Sequence, residues 1–213
     1  MKTRLLKKSI GILVLACISA MICLTARAYA DDAPKTESIV VAGGCFWGVQ
    51  GVFQHVKGVT QATSGYAGGD AGTAQYETVS TGTTGHAESV QITYDPKQVS
   101  LSQLLDVYFT VAHNPTELNY QGPDHGTQYR SAIFYATPEQ KNIADAKIAE
   151  LTQSKKFSAP IVTALEPLKG FYAAEDYHQN YLAEHPYQPY ILMYDMPKLT
   201  ALKESFPTLY AKK

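Results

Sequence analysis

The chain has 213 residues, of which 45% are apolar and 17% charged, and a formal net charge of −1. That length suits one domain with a sizeable core, and the absence of a basic stripe that could track phosphates argues against nucleic acid as a partner. Three cysteines are too few for a disulfide framework.

Residues 1–30 read as a signal peptide to be set aside before fold reasoning. Lys2, Arg4, Lys7 and Lys8 form a basic start, an apolar run follows from Ile10 to Leu24, and Ala28-Tyr29-Ala30 is an A-x-A cleavage pattern. The run is shorter than the ~20 apolar residues that a spanning helix needs. A lipidated start fits less well: apolar residues continue past Cys17, and Cys23 follows Ile22 rather than a small residue. Cleavage would start the mature protein near Asp31, remove five basic residues including Arg27, and take the charge from −1 to −6. It would also make the protein exported, periplasmic or secreted. Cys17 and Cys23 leave with the leader, so Cys45 becomes the only thiol. Residues 31–37 read as a short flexible start and 38–213 as one catalytic domain.

The elements follow in chain order. Ser38–Ala42 is a short β-branched run and reads as a strand. Gly43-Gly44 ends it, and Phe46, Val49, Val52, Phe53 and Val56 then recur at helical spacing. Cys45 therefore falls at a strand-to-helix turn. Gly58–Tyr66 is a second strand, Gly65–Gly72 a glycine-rich loop, and Glu88–Tyr94 a strand stopped by Asp95-Pro96. Ser100 with Gln103 forms a capping box for a helix over Leu101–Ala112. Arg130–Ala136 is a strand, and Thr137-Pro138-Glu139-Gln140 starts a helix that runs to Gln153. Ile161–Leu165 is a strand, and Glu175–Glu184 and Lys198–Glu204 are short helices. The alternation predicts a two-layer α/β domain, helices packed on a mixed sheet.

Cys45 is the candidate nucleophile. A helix N-terminus favours an anion such as a thiolate, and the flanking glycines allow close backbone approach to a bound group. The bland alternative is an inert buried cysteine. Phe46 and Trp47 could wall a pocket beside the sulfur or simply fill the core. Two polar stretches carry further candidates: Tyr76–Glu88, bounded by possible donors, and His113–Arg130, long and poor in regular structure. One cysteine and dispersed histidines lack the spacing of metal ligands.

Four motifs in order, GGCFWG, YETVSTGTTGHAE, HNPTELNYQGPDHGTQYRSAIFY and AAEDYHQNYL, make the chain resemble the A-type peptide methionine sulfoxide reductases over residues 38–190. The resemblance implies a ferredoxin-like core and a monomer. It matches Cys45 to the nucleophile that attacks the sulfoxide sulfur, and Phe46 and Trp47 to the pocket for the substrate methyl group. It matches Glu88 to the proton donor, Tyr76 and Tyr129 to hydrogen-bond donors for the same oxygen, and Asp124 to a substrate-holding acid. The substrate implied is the S epimer of methionine sulfoxide, free or in oxidised proteins, with no bound cofactor and no metal. Many members carry resolving cysteines near the C-terminus, whereas the tail YDMPKLTALKESFPTLYAKK has none. The implied enzyme is a one-cysteine type, regenerated by thioredoxin, a thioredoxin-like protein or a small thiol such as dithiothreitol. Two other readings compete. A cysteine hydrolase or acyltransferase would pair Cys45 with His86, His113, His125 or His178, and a non-catalytic module would only hold methionine side chains.

Overall fold

The computed structural model describes residues 36–212. The expected leader lies outside the described residues, and among these no helix is long and apolar enough to cross a membrane.

Strand β1 (Glu37–Ala42) is the centre of a six-stranded sheet. It pairs antiparallel with β3 (Ala87–Tyr94) on one side and with β6 (Ala132–Tyr135) on the other. Beyond β3 lies β2 (Val59–Ala67), also antiparallel, and these four strands stand in the order β6-β1-β3-β2. Helix α1 (Phe46–Gln54) joins β1 to β2, and α3 (Leu101–Val107) lies between β3 and β6. That is the split β-α-β arrangement of a ferredoxin-like core. Strand β7 (Ala164–Pro167) adds in parallel to β6 and makes the sheet mixed, while β8 (Phe171–Ala173) closes the opposite edge on β2.

The period of two in the central strand decides both layers. Ile39 and Val41 point into the main core with Val90 and Ile92, where α1 contributes Val49, Val52 and Phe53 and α3 contributes Leu104 and Leu105. Val40 and Ala42 face the other way, into a smaller cluster with Ala87, Ala132 and Phe134. Helix α4 (Pro138–Gln153) starts and ends where the residues predict, with the Thr137 hydroxyl accepting from the Gln140 N–H at 3.2 Å. The Ser100–Gln103 capping box is likewise present.

Other elements depart from expectation for identifiable reasons. The helix predicted over Leu101–Ala112 is α-helical only to Val107 and widens into a π-helical stretch over Tyr108–Ala112. The strand predicted at Ile161–Leu165 shifts to Ala164–Pro167, because the Val162 N–H is taken by the Pro115 carbonyl at 2.8 Å. The helix predicted over Glu175–Glu184 is split into a 3-10 turn, Asp176–His178, and α5 (Tyr181–Glu184). Gln179 is extended there, and Asn180 turns left-handed at φ 57°. A one-turn helix α2 (Tyr76–Val79), the small β4–β5 hairpin (Tyr120–Gln121 and Asp124–His125) and β8 are too short to show a period.

Helix α6 (Met196–Ser205) follows a π-helical turn at Ile191–Asp195 and sends Leu202 into the main core. It brings Asp195 against α1 at Gly48. A Cβ on Gly48 would lie 2.0 Å from Asp195 Oδ1 and 2.7 Å from Lys198 Nζ. Alanine inside a helix is normally better than glycine by about 1 kcal/mol. Gly48→Ala should instead destabilise the fold by roughly 1–3 kcal/mol through overpacking, read as a lower denaturant midpoint. A midpoint equal to or above that of the parent chain would show that α6 does not dock in this notch.

Candidate active site

Cys45 is the residue that precedes α1, in extended rather than helical conformation, and is partly exposed. The two glycines before it have separate duties. A side chain on Gly43 would run into the His113 ring at 2.7 Å, and Gly44 adopts φ +84°, which only glycine takes without strain. The Gly44 N–H donates to the Tyr129 carbonyl at 3.2 Å, so the loop bearing Tyr129 and the turn bearing Cys45 are tied together.

The helix start is shared between the sulfur, which the Trp47 N–H serves, and a carboxyl. The first N–H of α1, on Phe46, donates to Glu88 Oε2 at 3.0 Å. The Cys45 thiol is pushed well above its ordinary value, first by burial and then by the Glu88 and Asp195 carboxylates, against the Trp47 N–H and the Lys198 ammonium. At rest Cys45 is a thiol.

Glu88 comes from β3, opposite Tyr66 of β2, and is 3% exposed. Burial pushes its carboxyl up to about 8, opposed by the Phe46 N–H and assisted by the nearby charge of Asp124. Near pH 7 it is therefore mainly un-ionised. Because Oε2 accepts from Phe46, the proton sits on Oε1. That oxygen has no hydrogen-bond partner among the described residues.

The two aromatic neighbours of Cys45 behave differently. The Phe46 ring is 1% exposed and packed between Tyr66 and His178, with centroids at 5.9 and 5.0 Å. It is core, and it offers no open face. Trp47 is partly exposed. Its indole stacks on Tyr181 at 3.7 Å and 9°, meets Tyr190 edge-on at 6.2 Å, and donates its N–H to His178 Nδ1 at 3.1 Å.

Tyr76 begins α2, and its backbone N–H is held by Glu175 Oε1 at 2.9 Å. Tyr76 and Tyr129 both have hydroxyls held above the tyrosine range, by burial first and by the Glu88 charge second. Both are thus protonated donors beside the acid. Asp124, in the β4–β5 hairpin, accepts from the Tyr190 hydroxyl. A cavity of about 300 Å³ opens between Cys45, Asp124, Tyr190, Tyr194 and Lys198. Glu88, Tyr76 and Tyr129 do not line it, although Cys45 lies within reach of the Glu88 charge. The six other residues singled out from the sequence are therefore brought around Cys45, five as partly exposed or electrostatic neighbours and Phe46 as their buried support.

Several participants were not singled out. Glu175 and His178 lie in the AAEDYHQNYL motif, which gave a signal without roles. Tyr190, Asp195 and Lys198 fall in a tail with no motif, and only the docking of α6 places them here. Asp195 is fully buried and bonded to Lys198 at 3.1 Å, with its carboxyl held above the usual range by that burial.

No histidine hydrogen-bonds Cys45 among the described residues. His113 shares the cavity, but its Nδ1–H donates to the Tyr108 carbonyl and its Nε2 accepts from Ser131. Burial presses it down to about 3, so it stays neutral. His86 is spent on the backbone of Gly69 and Asp70. A thiol that lacks a base but sits beside an un-ionised acid is suited to attack an oxidised group that must be protonated, not to hydrolysis. This is the site of a thiol-dependent oxidoreductase.

Comparison with known proteins agrees. Residues 37–209 match the model of the family described as peptide methionine sulfoxide reductase. The chain is 60% identical over 181 residues to "Peptide methionine sulfoxide reductase MsrA 2" of Mesorhizobium japonicum, covering 85% of this chain and 93% of that one. It is 48% identical to the MsrA of Polynucleobacter asymbioticus, over 84% and 93% of the two chains. Among solved structures, reduced Mxr1 of Saccharomyces cerevisiae superposes with a TM-score of 0.66 at 36% identity, over 74% of this chain and 90% of that one. Methionine sulfoxide reductase A of Corynebacterium diphtheriae gives 0.63 at 36%, over 74% and 80%. The chain belongs to the peptide methionine sulfoxide reductase family, in its MsrA branch, and is a thiol-dependent reductase.

Glu88 generates a prediction of paired sign. Its folded value, about 8, lies above its ordinary 4.5. The stability tied to its proton is thus whole below pH 4.5 and is lost as pH rises through about 8. By pH 7 the loss is roughly 3 kcal/mol. Glu88→Gln keeps the shape and the Phe46 N–H acceptor, so thermal unfolding at pH 7 should rise by several degrees while sulfoxide reduction collapses. Reduction by the parent enzyme should decline above pH 8 as Oε1 loses its proton. A melting temperature that falls in the variant would contradict the assigned ionisation.

Proposed function

We propose that Cys45 reduces the S epimer of methionine sulfoxide, free or within oxidised proteins, by a sulfenic acid route. Cys45 Sγ attacks the sulfoxide sulfur. Glu88 Oε1 delivers its proton to the sulfoxide oxygen, and Tyr76 and Tyr129 donate hydrogen bonds to it. The S–S bond so formed then breaks: the protonated oxygen leaves the substrate sulfur and bonds to Cys45 Sγ while the S–S electron pair stays on the substrate sulfur, giving methionine and a Cys45 sulfenic acid, and the thiol proton restores Glu88. Trp47 supplies the partly exposed wall for the methyl group, with Phe46 as its support, and Asp124 with Tyr190 holds the rest of the substrate. A wall on one side and donors on the other accept one epimer. The observation that carries this reading is the buried, un-ionised Glu88 carboxyl hydrogen-bonded at the helix start next to Cys45.

Regeneration needs an external thiol, since Cys45 is the only free cysteine among the described residues. A thiolate attacks the sulfenic sulfur, a mixed disulfide forms and water leaves. A second thiol attacks the external sulfur, releasing Cys45 and a disulfide. A thioredoxin or thioredoxin-like protein is the reductant proposed in the cell, with dithiothreitol as its substitute in vitro. Export is proposed from the leader pattern of residues 1–30, and action as a monomer from the family resemblance.

The test is a single turnover without reductant. One methionine should form and one thiol disappear per enzyme with an S-sulfoxide, with none from the R epimer. Turnover should resume when thiol is added, and Cys45→Ser should produce no methionine. Methionine formation with the Cys45 thiol still fully titratable would overturn the sulfenic route.

A further inference from the structure

Residues 173–182 (AAEDYHQNYL) carry a motif of the family resemblance, but the chemistry above uses none of their side chains directly. We infer that His178 is a positioning residue that sets the orientation of the Trp47 indole, and so the shape of the wall that meets the sulfur substituent of the substrate. The inference rests on the reductase reading of the site.

Indole N–H can only donate. Its bond to His178 Nδ1, at 3.1 Å, requires that nitrogen to be bare and puts the ring proton on Nε2. His178 is 2% exposed, and its Nε2 is buried without a partner among the described residues. A phenylalanine would fill that space without the orphaned Nε2–H, at the cost of taking the acceptor away from the Trp47 N–H. The histidine is thus a poorer choice for packing, and what it adds is the acceptor at Nδ1. Its ring also lies 5.0 Å from Phe46 and 4.3 Å from Tyr76, centroid to centroid. One imidazole therefore backs three residues of the site.

The imidazole is delivered by a rigid segment. Gln179 uses its whole amide: Oε1 accepts from the Ser64 N–H and from Gln50 Nε2, and Nε2 donates to the Ser64 and Ala174 carbonyls. The Asn180 N–H donates to Gln50 Oε1 at 2.8 Å, and Glu175 joins the Tyr66 hydroxyl to the Tyr76 N–H. This pins the segment to both α1 and β2. The Trp47 indole is then held at its edge by His178 and on its face by Tyr181.

Trp47 is the only tryptophan of the chain, so tryptophan emission reports the surroundings of this one indole. The experiment compares His178→Phe, His178→Asn and His178→Gln in the full chain. An asparagine oxygen falls close to the place of Nδ1, a glutamine oxygen close to that of Nε2. His178→Phe should unfold at about the same temperature as the parent, since it removes the orphaned Nε2–H but also the acceptor of the Trp47 N–H. Its emission should shift to the blue. Its kcat/KM should fall about tenfold or more, since small misplacements at a reacting centre are costly, with weaker preference for methyl over ethyl sulfoxides. His178→Asn should restore both emission and kcat/KM, and His178→Gln neither. Parent-like emission and kcat/KM in His178→Phe would overturn the inference. So would rescue by glutamine in place of asparagine, or activity lost only in proportion to stability. Emission needs no turnover: a chain with the expected shifts but no sulfoxide reduction would refute the reductase reading and leave the positioning role standing.

Discussion

The hydrogen bond from the Phe46 N–H to Glu88 Oε2 organises everything around it. A helix start favours groups that accept hydrogen bonds, and in this chain its first N–H, on Phe46, is taken by the Glu88 carboxyl while its second, on Trp47, serves the sulfur of Cys45. The bond occupies one Glu88 oxygen and so leaves the proton to the other. It also joins β3 to the start of α1, from the Glu88 side chain on one to a backbone N–H on the other. Acid and thiol are therefore set relative to each other by the sheet.

The electrostatics follow from that arrangement. Cys45, Glu88 and Asp195 all resist ionising first because they are buried; the charges of Glu88 and Asp195 add to this at Cys45, and that of Asp124 adds to it at Glu88 and Asp195. Two neutral groups are the stable resting state. In the route proposed above the thiol proton returns to Glu88 as the acid's own proton passes to the sulfoxide oxygen, so the pocket need not hold two negative charges at once. Lys198 and the Trp47 N–H moderate the sulfur without making it a free thiolate. Such a thiol attacks what is brought to it and is protected from casual oxidation.

Much of the frame was legible in the residues because local signals agree with the global fold there. Alternation in β1 and β3, helical spacing after Cys45, the Ser100 box and the Thr137-Pro138 start each have one reading. The signals failed where tertiary contacts overruled them. The Glu175–Glu184 pattern looks helical, yet Gln179 gains four hydrogen bonds by leaving the helix. Val162 bonds a loop carbonyl and so moves the start of β7. For the site, Cys45, Glu88, Tyr76 and Tyr129 were readable through motifs. Tyr190, Asp195 and Lys198 were not, because nothing local distinguishes a tyrosine or an ion pair that becomes important only when α6 packs on Gly48. The burial of Phe46 and the raised thiol of Cys45 also needed coordinates, since both depend on what lies across the interface from the helix.

The contact between Trp47 and His178 spans 131 residues. On a ribosome, Cys45 therefore leaves the exit tunnel long before the residues that shape its surroundings have been made. Asp195 and Lys198 come later still. Through most of synthesis the sulfur lies in a chain with neither its aromatic wall nor its flanking ion pair. The surroundings of the sulfur are therefore complete only once residues 175–198 have joined the fold, and a chain shorter than that keeps the nucleophile and the acid without their enclosure.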